Sequence, residues 1–397
     1  MCRRQAQAAA GDTLLDTRMH TRRLLFIDNL RTLMIMLVIV LHLSVTYGGE
    51  GSWYYKEGRA DFLTACLLTT HNAIVQSFFM GLLFLLAGYF TPASYDRKGP
   101  GRFLADRLLR LGIPMVLYDL VIHPFLCWVL AANVHGYQGT FLQAMAHYYR
   151  TFHQIGTGPL WFVEALLIFS AVYAAWRAAT GRATAPSQTN APWPHNARIA
   201  LFALILGIVT FLVRLGLPAG WAFAPLNLQV PYFPQYIALF AIGIAAYRHN
   251  WLEHIGPATA RLWRGLTLTL IFLAMPLLLV AGGAVKGNLT PYLGGLHWQS
   301  LAYALWEQAM GIAVSISLLA LFRKRLNQQG AILRELSACS YTVYVLHAPV
   351  IVLAALAAGG ITVYPLLKFA LVAPAAVGLC FLLATAVRRL PLASRVL

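Results

Sequence analysis

An Asp, an Arg and a His are spaced along the first apolar run of this sequence. Asp28-Asn-Leu-Arg31 is followed by ten apolar or Thr residues and then by His42. At about 100° per helical residue, both Arg31 and Asp28 fall on nearly the same helix face as His42. An imidazole among Leu, Val, Ile and Met is costly in lipid, so we expect His42 to face the interior of a helix bundle. It is either a proton-transferring residue or a core His bonded to a neighbouring helix.

Two carboxylates and a second His lie in later apolar runs. At 1.5 Å per residue, His42, Glu164 and Glu307 fall roughly 8–12 Å from the outer ends of their predicted helices. His347 lies near the middle of its own run. Such groups are less costly to bury when they meet around a polar cavity. We therefore expect Glu164 and Glu307 to line one cavity with His42; the alternative is that each forms a structural pair with a His, Tyr or Trp.

Basic residues gather near the other end of the first run. Arg31 lies ~16 Å from the imidazole along the helix, with Asp28 one turn away. The next polar stretch carries Arg102, Arg107 and Arg110, of which the last two are three apart and share a helix face. Such a cluster suits the phosphate groups of a ligand. Topology determination and contact with anionic lipid headgroups would explain it equally well.

Long apolar runs position all of these residues. The chain has 397 residues, of which 59% are hydrophobic and only 11% charged, and this is too apolar for a soluble domain. About 20 apolar residues cross a bilayer, so the sequence predicts an all-α integral membrane protein. The ten predicted spans are 25–47, 71–91, 111–134, 158–176, 198–213, 233–248, 263–283, 299–322, 337–357 and 363–386. The fifth and sixth are short and flank a Pro/Gly-rich piece, which favours tilted or re-entrant helices there.

The distribution of charge predicts the topology. With both termini in the cytoplasm, 23 of the 30 Lys and Arg residues fall in cytoplasmic segments, a strong positive-inside bias. We expect a disordered cytoplasmic tail at 1–23, a membrane domain at 24–387, a flexible cytoplasmic loop at 180–196 and a short cytoplasmic tail at 388–397. The net charge of +17 then reflects topology and indicates no nucleic-acid partner. The five scattered Cys predict neither disulfides nor a metal site.

Several stretches resemble the integral-membrane acyltransferase family (acyltransferase family 3). They occur in the family's order across residues 26 to 350, and each alone would be weak. The matching stretches are Phe26-Ile-Asp-Asn-Leu-Arg31 with His42, the second-span piece Phe78 to Phe90, Phe103 to Pro114, Gly158-Pro-Leu-Trp-Phe162, and Leu336 to His347. His42-Leu-Ser-Val-Thr-Tyr47 and Arg110 to Met115 resemble the branch that contains the periplasmic-glucan succinyltransferases. Ala87 departs from the family pattern, which has Ser before the Gly of the second span.

The resemblance implies O-acyl transfer from a cytoplasmic acyl-CoA to a hydroxyl, often on an exported glycan. It implies that His42 is essential and that Arg31 is the first-span Arg of the family. We expect a one-domain enzyme in the cell inner membrane, with acyl-CoA as donor substrate and no permanently bound cofactor. Its other partners would be membrane lipid and a glycan or small glycoside.

The residues fit this chemistry in a specific way. His42 would act as general base on the acceptor hydroxyl, with Glu164 or Glu307 fixing its tautomer as a carboxylate does in a triad. The Arg residues would bind the CoA phosphates. An acyl-His intermediate is a variant of this mechanism. His347 would bind acceptor, carry a proton or be structural; Trp161 and Asp28 are further candidates for substrate binding.

Two other classes of function remain open at this point. A proton-coupled secondary transporter or flippase for a sugar-containing substrate would use His42, Glu164 and Glu307 as a proton relay, although the sequence contains no evident inverted repeat. A membrane receptor or scaffold would not need charged residues inside its spans.

Overall fold

Ten helices long and apolar enough to cross a membrane make up most of the part of the chain that the structure describes. The computed structural model describes residues 24–152, 156–180, 189, 191–224, 226–391 and 393–396. The ten helices are α1 (Leu25–Thr46), α2 (Phe62–Lys98), α3 (Pro100–Asn133), α4 (Gly158–Ala179), α5 (Asn196–Gly216), α6 (Val230–Arg248), α7 (Pro257–Ala281), α8 (Trp298–Arg325), α9 (Ala331–Ala357) and α10 (Pro365–Arg388). Each predicted span corresponds to one of these helices, and the chain is a multi-pass membrane protein.

The fifth and sixth spans differ from the expectation of short helices. With 21 and 19 residues, α5 and α6 are about as long as a bilayer crossing requires. Their sequences looked short because the apolar run of α5 ends before its polar last turn, and α6 begins with a Pro-containing turn. The predicted tail at 1–23 and most of the predicted loop at 180–196 lie outside the described residues.

The first helix occupies a central position in the bundle. It packs against α2, α8, α9 and α10. The most buried spans are α2, α8 and α9, whereas α7 is the least buried. Exposed apolar side chains on α7, such as Phe272 and Leu277, form a surface suited to lipid. Polar groups on α1 are therefore surrounded by other helices, as the cost of burying them in hydrocarbon requires.

Glycines allow α2 and α6 to pack closely. A Cβ at Gly88 would overlap the carbonyl oxygen of Phe240, and a Cβ at Gly243 would overlap the carbonyl oxygen of Leu85. Small residues at facing positions let two membrane helices approach backbone to backbone, where van der Waals packing is strongest. This contact fixes α6, which carries part of the wall of the candidate site.

Widened turns precede prolines in two of the helices. In α3, π-helical turns at Leu108–Gly112 and Tyr118–Ile122 each end two residues before a proline, and α7 repeats the pattern at Leu270–Ala274. Proline lacks an N–H and its ring clashes with the preceding turn, so a widened turn accommodates it without ending the helix. The second widened turn of α3 directs Tyr118 into the core, where it is fully buried.

Candidate functional site

His42 lies near the end of α1 and borders a cavity in the helix bundle. The imidazole is half-buried, and the cavity beside it has a volume of about 660 Å³. Side chains from α1, α2, α4, α6, α7, α8 and α9 line it together with residues of three connecting segments. A cavity of this size can hold a small ligand. The predicted direction of His42, towards the bundle interior, agrees with its position in the structure.

Aromatic rings and amides dominate the polar lining of the cavity. The aromatic residues with a polar group are Trp161, Tyr232, Tyr292, Tyr303 and Tyr344, beside the apolar Phe79, and the amides are Asn72, Gln76, Gln229 and Asn288. Aromatic side chains offer an apolar face with a polar edge, and amides supply both donors and acceptors. This combination suits a ligand that has hydroxyl groups on an apolar frame, such as a sugar. The predicted substrate-binding residue Trp161 thus lies in the cavity wall, and its ring stacks on Tyr236.

Trp53 covers one face of the candidate base. It belongs to the first connecting segment (residues 47–61), and its indole stacks on the His42 ring with centroids 3.7 Å apart and planes 16° apart. The backbone carbonyl of Glu50, in the same segment, accepts a hydrogen bond from the Asn72 amide of α2. The buried Lys368 of α10 forms an ion pair with Glu57. The segment is therefore held against the bundle on both sides of Trp53.

Tyr54 links the same segment to α3. Its hydroxyl oxygen lies 3.0 Å from the Tyr118 hydroxyl and 2.5 Å from Nδ1 of His123. Burial raises the pKa of the Tyr54 phenol above its usual value, so the group stays protonated and donates to one of these partners. Tyr118 is the first residue of the second widened turn of α3.

A second imidazole lies beside His42. The rings of His42 and His347 have centroids 5.4 Å apart and planes 15° apart. His347 is fully buried, and its Nδ1 lies 2.5 Å from the backbone carbonyl oxygen of Tyr344. The two His residues predicted from separate spans are thus brought together by the packing of α1 against α9.

The two carboxylates predicted to accompany His42 lie elsewhere. Glu307 forms an ion pair with Arg214, with Oε2 and Nη2 2.7 Å apart and both side chains fully buried. The guanidinium also lies over the rings of Tyr232 and Tyr303, at 4.9 and 5.9 Å from their centroids, within the range of a cation–π interaction. Neither Glu307 nor Glu164 lines the cavity that His42 borders. The expectation that they do is corrected, because equal depth did not determine which way each side chain faces.

Glu164 belongs to a group of polar residues behind Trp161. It is buried, and it interacts electrostatically with Asp119 of α3 and with Thr157. Among the described residues, neither Glu164 Oε2 nor Asp119 Oδ1 has a hydrogen-bond partner. Glu164 thus interacts with a second carboxyl group, on a neighbouring helix. The predicted link between Glu164 and His42 has no hydrogen bond to support it in the described part of the chain.

The Arg residues lie at the opposite end of α1 from His42. Arg31 pairs with Asp28 at 3.4 Å and lies over the ring of Phe90. Arg110 pairs with Asp106, and Arg107 packs over the ring of Phe103. The start of α1, the end of α2 and the start of α3 lie at the same end of the bundle. Arg31, Arg107, Arg110 and the exposed Arg102 therefore all lie at this end.

Three residues at or near the site, Trp53, Tyr54 and Arg214, were not identified as candidates from the sequence. Trp53 and Tyr54 lie in a connecting segment without periodicity. Arg214 lies one residue beyond the predicted fifth span and was assigned to a loop, but the structure places it in the last turn of α5. A lone Arg at the edge of an apolar run was the available signal, since such a residue is costly unless a buried partner exists.

Comparison with known proteins gives a family match over most of the chain. The model of the acyltransferase domain matches residues 24–385. Glucans biosynthesis protein C of Salmonella schwarzengrund (strain CVM19633) is 24% identical over 250 residues, which is 57% of this chain and 59% of the relative. The proteins of that name from Salmonella agona (strain SL483) and Salmonella heidelberg (strain SL476) are 24% and 23% identical over 250 residues. The chain thus matches about three fifths of the length of these curated relatives, and no solved structure matches it.

Proposed function

Because the chain belongs to the acyltransferase domain family, we propose that it is a membrane O-acyltransferase. It moves an acetyl or succinyl-like group from acyl-CoA to a hydroxyl of a sugar-containing acceptor. The observation that carries this proposal is the position of His42, an imidazole within an apolar helix that borders a cavity large enough for a small ligand. An imidazole in such a position has a use chiefly in moving protons.

His42 acts as the general base. The acceptor hydroxyl transfers its proton to an imidazole nitrogen as its oxygen bonds to the thioester carbonyl carbon. The carbon–sulfur bond then breaks, and the CoA thiolate leaves and takes up the proton. The stacked Trp53 ring favours the imidazolium formed in between, because an aromatic face attracts a cation.

The acceptor is a glycan or small glycoside bound in the cavity. The aromatic and amide lining supports this choice, as does the word "glucans" in the name of the similar Salmonella proteins. Trp161 contributes an apolar face to the acceptor site. Tyr232 and Tyr303, whose rings both face the Arg214 guanidinium, also line the cavity.

The donor approaches from the cytoplasm. Arg31, Arg102, Arg107 and Arg110 lie at one end of the bundle and bind the CoA phosphates, with Asp28 orienting Arg31. The Nε of Arg107 is buried and has no hydrogen-bond partner among the described residues, which leaves a donor for an anion. Both termini are in the cytoplasm in this proposal, and the protein resides in the cell inner membrane.

The test compares the parent with His42→Ala and with His254→Ala, whose imidazole is exposed and bonds the Asn250 carbonyl. Purified protein in lipid nanodiscs is given acetyl-CoA or succinyl-CoA and glucose oligosaccharides, and CoA release and acylated sugar are measured. Loss of a general base lowers turnover by about 10²–10⁴-fold, so His42→Ala should lose activity while His254→Ala retains it. Parental turnover by His42→Ala refutes the mechanism. Proton-coupled sugar uptake into vesicles without acyl transfer would favour a transporter instead.

A further inference from the structure

The hydrogen bond of His347 determines which of its ring nitrogens carries the proton. A backbone carbonyl oxygen only accepts, so Nδ1 of His347 donates its hydrogen to the carbonyl of Tyr344. In a neutral imidazole the other nitrogen then has a free lone pair. That atom, Nε2, is buried and has no hydrogen-bond partner within the described ranges. His347 therefore presents an unused acceptor inside the bundle.

His42 has a matching unused atom. Its Nδ1 is also buried and without a partner in the part of the chain that the structure describes. For His42 to accept a proton from the substrate on Nε2, the neutral ring must carry its own hydrogen on Nδ1. A buried N–H without an acceptor is costly, so the active tautomer needs an acceptor on the side away from the substrate.

The geometry points to His347 as that acceptor. The two rings are neighbours, with centroids 5.4 Å apart and planes 15° apart, and each has one buried nitrogen without a partner among the described residues. The two nitrogens form no hydrogen bond as the side chains are placed, and a small rotation of the rings would bring them within hydrogen-bond distance. We propose that Nε2 of His347 accepts the hydrogen of His42 Nδ1 after this rotation and so keeps His42 in the tautomer that acts as base. His347 is then a positioning residue with the role that a carboxylate has in a triad. This inference rests on the proposed function of His42.

Neither carboxylate expected to orient His42 forms a hydrogen bond with it in the described part of the chain. Glu307 is occupied by Arg214 and Gln308, and Glu164 interacts with Asp119 and Thr157. A neutral acceptor also differs from a carboxylate in its effect, because it fixes the tautomer without strongly increasing the basicity of His42. Trp53, stacked on the His42 ring, covers one of its faces and keeps the ring nearly parallel to the indole.

The test uses two substitutions of His347 that differ in reach. The side-chain oxygen of Gln can occupy roughly the position of His Nε2, whereas that of Asn reaches only the position of Nδ1. We expect His347→Asn to lower kcat at least about tenfold, as the loss of a buried hydrogen-bond acceptor implies. His347→Gln should retain a larger share of kcat, and KM for the sugar acceptor should change little in either variant.

A second measurement reports on the tautomer without using activity. In protein labelled with ¹⁵N-histidine, the ring shifts of His42 show which nitrogen carries hydrogen; a His42→Gln sample assigns them. The parent should show hydrogen on Nδ1, and His347→Asn should show a mixture or the other tautomer. Equal kcat in the Asn and Gln variants, or an unchanged tautomer in His347→Asn, overturns the inference. Parental activity in His42→Ala would instead overturn the proposed function and leave the tautomer result standing.

Discussion

The buried pair of Arg214 and Glu307 allows a structural role to be separated from a catalytic one. Both side chains are fully buried and their charged atoms are 2.7 Å apart. Removing one partner of a buried pair leaves an uncompensated charge and costs about 3–5 kcal/mol. Glu307→Gln should be the more damaging single change, because an arginine cannot lose its charge whereas a glutamate can take up a proton. Arg214→Met should also destabilise, by a smaller amount.

The double substitution of Arg214 by Met and Glu307 by Leu gives the decisive result. Replacing a buried ion pair by apolar side chains of similar volume is often neutral or stabilising. The double variant should therefore recover to within about 1–2 kcal/mol of the parent, the remainder reflecting lost cation–π contacts with Tyr232 and Tyr303 and the lost bond from Gln308. If Glu307 only supports the cavity wall, acyl transfer should recover along with stability.

The assay is unfolding by sodium dodecyl sulfate in mixed micelles, followed by tryptophan fluorescence, with acyl transfer measured on the same samples. Lys98→Met is the control, since the pair of Lys98 and Asp106 has a similar distance of 2.8 Å but both side chains are 26% exposed. Lys98→Met should lower the free energy of unfolding by at most about 1 kcal/mol. A double variant as unstable as Glu307→Gln would refute the reasoning. A stable but inactive double variant would show that the pair of Arg214 and Glu307 acts in catalysis and not only in stability.

Two further predictions concern Trp53, which stacks on His42, and the packing of α2 against α6. Trp53→Leu should lower kcat about 2- to 30-fold, because loss of the stacked ring removes about 0.5–2 kcal/mol of cation–π stabilisation from the His42 imidazolium. In Trp53→Phe, which keeps an aromatic ring, kcat should fall less. A kcat of Trp53→Leu equal to that of the parent would contradict this prediction. Gly88→Val should destabilise the protein by about 1–3 kcal/mol, because the new side chain overlaps the facing helix α6. Gly101 has open space around it, so Gly101→Val should leave the thermal unfolding temperature nearly unchanged. Equal falls in unfolding temperature in the two variants would argue against the close contact between α2 and α6.

The ten helices could be predicted because lipid imposes a strong constraint on sequence. A span needs about 20 apolar residues whatever its neighbours are, so the runs around His42 and His347 were sufficient to locate α1 and α9. The inward direction of His42 followed from the cost of a polar group in hydrocarbon. These inferences needed no knowledge of which helices touch.

The partners of the polar residues could not be predicted in the same way. Depth along the membrane normal is one coordinate, and it placed Glu307 level with His42 while leaving the helix rotation and neighbour undetermined. Arg214 could have been proposed as the partner of Glu307 only if the predicted fifth span had been extended by at least one residue. Trp53 reaches His42 through a connecting segment, whose path depends on contacts made after the helices have packed.

The first connecting segment shows why a buried cation lies in α10. A lysine in a span is costly unless it has a partner, and Lys368 finds one in Glu57. Its ammonium also lies 5.9 Å from the centroid of the Tyr47 ring, at the start of the same segment. Tyr364, just before α10, donates to the Asp61 carboxylate at the segment's end. The tenth helix, which lines none of the cavity, thereby holds the segment that places an indole on the base.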